Sequence, residues 1–135
     1  MKHDSLTVSA VIPAPPEAIY KAWISGTRHS AMTGSAATAA AKVGGKFSAW
    51  DGYISGTTLE LDPGARILQA WRTTEFDDEA PDSRLEVILS PARGGTRVTL
   101  KHTELPPGSA AEYRRGWIDF YFKPMKGYFS SGRGT

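Results

Sequence analysis

Glu60 and His102 are the two residues whose types and settings could support acid–base chemistry. In a simple strand register Glu60 shares a face with Phe47 and Trp71, and His102 shares one with Val87 and Leu100. A carboxylate and an imidazole in apolar surroundings can serve as acid and base, because desolvation and mutual charge bring both pKa values toward neutrality. Two plainer readings stand beside this one. A histidine at a strand end commonly serves as a hydrogen-bonded edge residue. A register shifted by one turns Glu60 outward and Leu59, Leu61 and Leu68 toward the core. Other chemistries find no support: His3, His29 and His102 are too scattered for a local metal motif, and the chain has no cysteine for a disulfide, thiolate site or nucleophile. Gly44-Gly45 precedes a strand, whereas phosphate-binding glycine loops precede a helix, and no nucleophile-elbow pattern occurs. No metal and no cofactor are expected, and Glu60 and His102 are the catalytic candidates.

The elements that would position these residues centre on Gly44 to Arg72. Asp51-Gly52 between Trp50 and Tyr53 signals a type I′ hairpin turn, since both central residues need positive φ. Asp62-Pro63-Gly64 signals a second turn. Together they predict an antiparallel meander in which Phe47 faces Gly56 and Gly56 faces Trp71. A hairpin turning at Gly94-Gly95 pairs Leu89 with Val98, Val87 with Leu100 and Leu85 with His102. Before the meander, Leu6 to Ile12 reads as a strand, and Pro15-Pro16 opens a short helix carrying Ile19, Tyr20 and Trp23. Ser25 to Lys42, rich in Gly, Ser, Thr and Ala, reads as a second short helix or an ordered loop. After Pro106-Pro107-Gly108, the residues Tyr113, Trp117, Phe120, Tyr121, Met125 and Tyr128 form a helical stripe. Pro124 lies inside it and predicts a kink or a new helical segment, and Gly132 is the expected end. The class is α+β: six antiparallel strands, one or two short helices after the first, and a long C-terminal helix covering the sheet.

With 135 residues, 40% apolar and 22% charged, the chain has the size and composition of one globular domain, 1–135. Sixteen basic against fourteen acidic residues leave a formal charge of +2. The basic residues are scattered, with Arg114-Arg115 the one adjacent Lys/Arg pair, so a nucleic-acid partner is not expected. Asp77-Asp78-Glu79 reads as a solvated loop. The N-terminus lacks the apolar stretch of a signal peptide and no run reaches the ~18 apolar residues of a membrane span, so a cytoplasmic protein without membrane insertion is expected.

Val43-Gly44-Gly45-Lys46-Phe47, Asp51-Gly52, Ile54-Ser55-Gly56, Leu59-Glu60-Leu61, Ile67 to Arg72, Gly95 to Leu100 and Gly116-Trp117, taken in order, resemble one family. It is the AHSA-type family, named after the C-terminal domain of the activator of the heat-shock protein 90 ATPase. The resemblance spans Pro15 to Tyr128. It implies the helix-grip fold of START-like and birch-pollen-allergen-like domains, in which a bent sheet wraps a long C-terminal helix around an apolar cavity. The cochaperone behind the family name joins such a domain to a separate N-terminal chaperone-binding domain, for which these 135 residues leave no room.

Function has to be argued from the site, since this superfamily carries many activities on one fold. The leading expectation is non-catalytic binding of a small hydrophobic or amphipathic molecule, such as a lipid, in a cavity between sheet and helix. Its lining would be Trp23, Phe47, Gly56, Trp71, Leu85, Val87, Leu100, His102, Trp117, Phe120 and Tyr121. Gly56, between two bulky aromatics, marks room for rings to lie over the backbone. The same side chains could instead simply fill a core. The alternatives are a cyclase-like or hydrolase-like cavity enzyme using Glu60 or His102, and a chaperone-interaction module stimulating the heat-shock protein 90 ATPase.

Overall fold

The computed structural model describes residues 3–130. Strand β1 (Asp4–Ile12) leads through Pro16, the first helical residue, into α1 (Pro16–Ile24) and then α2 (Gly26–Thr33). The segment that composition left open is thus a helix followed by a two-residue strand, β2 (Thr38–Ala39). The meander β3 (Lys46–Ala49), β4 (Ile54–Asp62) and β5 (Arg66–Thr73) follows, then the hairpin β6 (Ser83–Ala92) and β7 (Gly95–Leu105). One antiparallel sheet results, in the order β1-β7-β6-β5-β4-β3-β2. It has seven strands instead of the expected six. The addition is β2, which pairs Thr38 with Ser48 and Ala39 with Phe47, too short to leave a periodic trace.

The expected pairings of Phe47 with Gly56, Gly56 with Trp71, Leu85 with His102, Val87 with Leu100 and Leu89 with Val98 are all present. Tyr53 N–H closes the Asp51-Gly52 turn on the Trp50 carbonyl, with both central residues at positive φ. Further along β4 the register shifts between Thr58 and Glu60. This bulge reverses the alternation: Leu61 packs against the core and Glu60 turns to the outer face. There Arg66 bridges Glu60, at 2.7 Å, and Glu86.

The inner face is built in rows across the strands. Gln69, Leu85, His102 and Leu6 form one row, and Ile67, Val87, Leu100 and Val8 the next. Over them lies a helix in three parts: α3 (Ala110–Trp117), a π-helical turn (Ile118–Phe122) and α4 (Lys123–Ser130). Pro124 has no N–H for the Phe120 carbonyl and crowds it, and the widened turn spans that carbonyl. The π turn adds about one residue to the helix period. Tyr121 and Phe122 therefore both face inward, Phe129 is buried behind them, and Tyr128 is half-buried. Phe120, expected on the inner stripe, is 57% exposed. The expected end at Gly132 lies outside the described residues. Asp4 caps the N-terminus of α3 by accepting from Ala110 N–H, and Arg114 donates to the Thr7 carbonyl on β1, at 3.0 Å in each case.

Two histidines pin the helix to the rest. Trp117 donates its indole N–H to His102 Nδ1 at 3.1 Å. His102 Nε2 donates to Ser83 Oγ at 2.8 Å, and that hydroxyl donates onward to the Trp71 carbonyl at 2.7 Å. His29 has the opposite tautomer: Nδ1 donates to the Trp23 carbonyl at 2.9 Å, and Nε2 accepts from the Tyr121 hydroxyl at 2.8 Å. Both rings are buried and neutral. Burial pushes His102 down to about 3 and lowers His29, for which hydrogen bonding to the Trp23 carbonyl is a smaller opposing effect.

The unfolded chain binds protons on both histidines below about pH 6.5 while the folded chain does not. Their contribution to stability is therefore complete above pH 6.5 and is lost as pH falls toward about 3 for His102. Urea unfolding between pH 7.5 and 5 should show stability dropping by about 1.4 kcal/mol per pH unit from His102 below its unfolded pKa, with His29 adding in the same direction. A flat profile over that range would contradict the arrangement. A Cβ on Gly56 would lie 2.7 Å from Phe47 Cζ and collide with the Ala70 carbonyl oxygen. Gly56→Ala is expected to lower the unfolding free energy by about 2 kcal/mol or more in the same assay.

Candidate functional site

A cleft opens at one end of the sheet, where the β3–β4 turn faces the C-terminal helix. Because β3 ends at Ala49, the turn projects Trp50 and Tyr53 beyond the sheet, and Ile54 begins the return strand. Trp71, on the inner face of β5, forms the floor. Tyr113, Gly116, Trp117, Phe120 and Tyr121 line the opposite wall, with Glu112, Arg115 and Asp119 among its polar lining. The cleft has a volume of about 730 Å³, within the range of small-molecule sites. Gly116 contributes to that space by omission, since a Cβ built on it would meet nothing within 4 Å.

The walls are braced by hydrogen bonds and ring contacts. Tyr113 and Thr73 share a hydroxyl hydrogen bond of 2.9 Å, and Tyr53 donates its hydroxyl to Glu75. Burial raises the pKa of both phenols, so at neutral pH they remain protonated. Trp71 stands edge-on to Tyr113 at 5.4 Å and lies 5.4 Å from Trp117. At the mouth, Trp50 and Phe120 meet edge to face at 5.4 Å. Asp119 is paired with Lys123 at 3.1 Å.

Of the expected lining, Trp71, Trp117, Phe120 and Tyr121 come together in this cleft. Trp23 and Phe47 lie deeper, beside a void of about 10 Å³ that they share with His29, Gln69 and Trp71. That space is close to the minimum for one water. The room expected over Gly56 is occupied by the Phe47 ring itself. Leu85, Val87 and Leu100 are fully buried in the inner rows, and His102 is buried with both nitrogens engaged. Glu60 sits on the outer face with Arg66. Neither catalytic candidate lines the cleft. The described residues contain no cluster of three or more His, Asp or Glu side chains arranged to hold a metal ion. None of their helices is long and apolar enough to cross a membrane.

Sequence reasoning did not place Trp50, Tyr53, Tyr113 or Gly116 in the site. The available signal was the pair of aromatics bracketing Asp51-Gly52. A tight turn at the end of a sheet carries its flanking side chains to the rim, where a helix can close over them.

Residues 13–130 match the family model described as activator of Hsp90 ATPase homolog 1-like protein. The human activator of 90 kDa heat shock protein ATPase homolog 1 is 27% identical over 127 residues, covering 94% of this chain and 37% of that protein. The Dictyostelium discoideum homologue is 28% identical over 116 residues, or 85% of this chain and 30% of its own. The chain thus spans about a third of the length of these relatives. Among solved structures, an HSP90 activator from Plasmodium falciparum superposes with a TM-score of 0.84 at 24% identity, covering 93% of this chain and 96% of that one. CalU16 from Micromonospora echinospora superposes with a TM-score of 0.72 at 24% identity, covering 96% and 83%. These two structures share the fold that the sequence resemblance implied, and the family match extends over most of the chain. The chain belongs to the family of activator of Hsp90 ATPase homolog 1-like proteins.

Proposed function

We propose that this domain binds a small hydrophobic or amphipathic molecule without transforming it, in the cleft between the β3–β4 turn and the C-terminal helix. The observation that carries the reading is the cleft of about 730 Å³ lined by Trp50, Tyr53, Trp71, Tyr113, Trp117 and Phe120. Aromatic walls with a few polar groups at their margin suit an apolar ligand body whose orientation is set by one or two polar contacts. The placement of Glu60 and His102 away from the cleft supports a non-catalytic role over a reaction that uses either of them.

Gly116→Leu tests this directly, because the new side chain enters empty space in the cleft. Titration with a panel of lipids and polycyclic aromatics, followed by NMR, should give binding to the parent protein. The variant's affinity should fall by about tenfold or more. Its thermal midpoint should hold or rise, since leucine favours a helix over glycine by about 0.8 kcal/mol. Undiminished binding by a folded variant would remove the cleft as the site.

A second reading, contact with a chaperone, is supported by the names of the relatives and by Ile118 and Phe120, which are 38% and 57% exposed on the helix. If the domain stimulates the ATPase of a heat-shock protein 90, Ile118→Ala with Phe120→Ala should abolish the stimulation and leave unfolding unchanged. No stimulation by the parent protein would discard this reading.

A further inference from the structure

We propose that the cleft selects a flat, fused-ring aromatic molecule carrying a hydrogen-bond acceptor oxygen, and that Trp50 is the selecting residue. The inference rests on the ligand-binding reading above and deepens it. A type I′ turn requires positive φ at its two central residues, here Asp51 at 56° and Gly52 at 89°. Trp50 precedes them and is also left-handed, at 52°, a conformation bulky residues rarely hold. Backbone outliers of this kind concentrate at ligand-contacting positions.

The indole adds an independent observation. Trp50 Nε1 is enclosed and has no hydrogen-bond partner, the one such buried side-chain atom among the described residues. Enclosed indole N–H groups normally have an acceptor, as those of Trp23 and Trp117 do in Gln69 and His102. Against Trp50 lies Phe120, a large apolar ring left 57% in solvent. A donor without an acceptor and a ring without a cover therefore stand side by side at the mouth of an aromatic cleft. Because Nε1 is enclosed, binding through it requires the neighbouring side chains, Phe120 among them, to move aside. A planar ligand entering there stacks on the aromatic walls and covers Phe120, while its oxygen accepts from Nε1.

Fluorene and 9-fluorenone share one three-ring frame and differ by a carbonyl, so comparing them isolates the acceptor. With the full chain, 9-fluorenone is expected to bind about tenfold more tightly than fluorene. The Trp50 indole N–H resonance should move downfield as it binds. Trp50→Phe should retain fluorene binding and lose the preference, with the indole resonances of Trp23 and Trp117 reporting that the fold is intact. Equal affinities for the two compounds in the parent protein would overturn the acceptor rule while leaving the cleft as a ligand site. A preference that survives in Trp50→Phe, or an unmoved Trp50 resonance, would overturn the role of Trp50. Failure of both compounds to bind would overturn this inference, while the ligand reading itself is decided by the panel of lipids and aromatics and by Gly116→Leu.

Discussion

An imidazole enclosed by protein has to find a donor for one nitrogen and an acceptor for the other, and this requirement ties the C-terminal helix to the rest of the fold. His102 meets it by standing between Trp117 on the helix and Ser83 on β6, and the Ser83 hydroxyl carries the chain of bonds to the Trp71 backbone. His29 meets it with the reverse tautomer, between Trp23 and Tyr121. The hydrophobic effect brings the helix to the sheet but fixes neither its height nor its rotation. Directional bonds to two rings do fix both, because sliding the helix would strand Trp117 N–H and Tyr121 O–H at once.

The position of the cleft follows from that docking. Beneath the centre of the helix the side chains interdigitate, leaving about 10 Å³ beside Phe47. Toward the β3–β4 turn the helix presents Gly116 and then the π turn, which carries Phe120 out of the packed stripe. Space therefore opens at the rim and not between the layers. π turns recur at functional sites. Here the turn's effect is specific: two consecutive residues, Tyr121 and Phe122, are buried, and their predecessor is left at the mouth.

Much of the sheet was legible because its signals are local. Asp51-Gly52 and Gly94-Gly95 each set a hairpin, and alternation carried the pairing outward from the turn as far as Trp71 and His102. The bulge before Glu60 was not legible, because one added residue leaves the composition of Leu59-Glu60-Leu61 unchanged while reversing which side chain is buried. The π turn escaped for the same reason: Pro124 announced an irregularity but not that it would cast Phe120 outward. The sharing of the site was harder still. Leu85, Val87 and Leu100 lie on the inner face as their alternation implies, yet whether such residues meet a ligand or one another depends on how closely the helix sits. His29, 73 positions before His102, joined the same aromatic cluster through contacts that no local spacing encodes.

The two ends of the sheet bear on how copies of this domain meet in concentrated solution. An open antiparallel sheet exposes unpaired backbone groups at its outermost strands, and these are templates for chain-to-chain aggregation. At one end the outermost strand is β2, only two residues long. At the other, Arg114 reaches across to the Thr7 carbonyl of β1 and sets a cation where an incoming strand would pair. The bond from Arg114 thus has a second consequence besides securing the helix: it occupies one backbone acceptor of the longer edge strand.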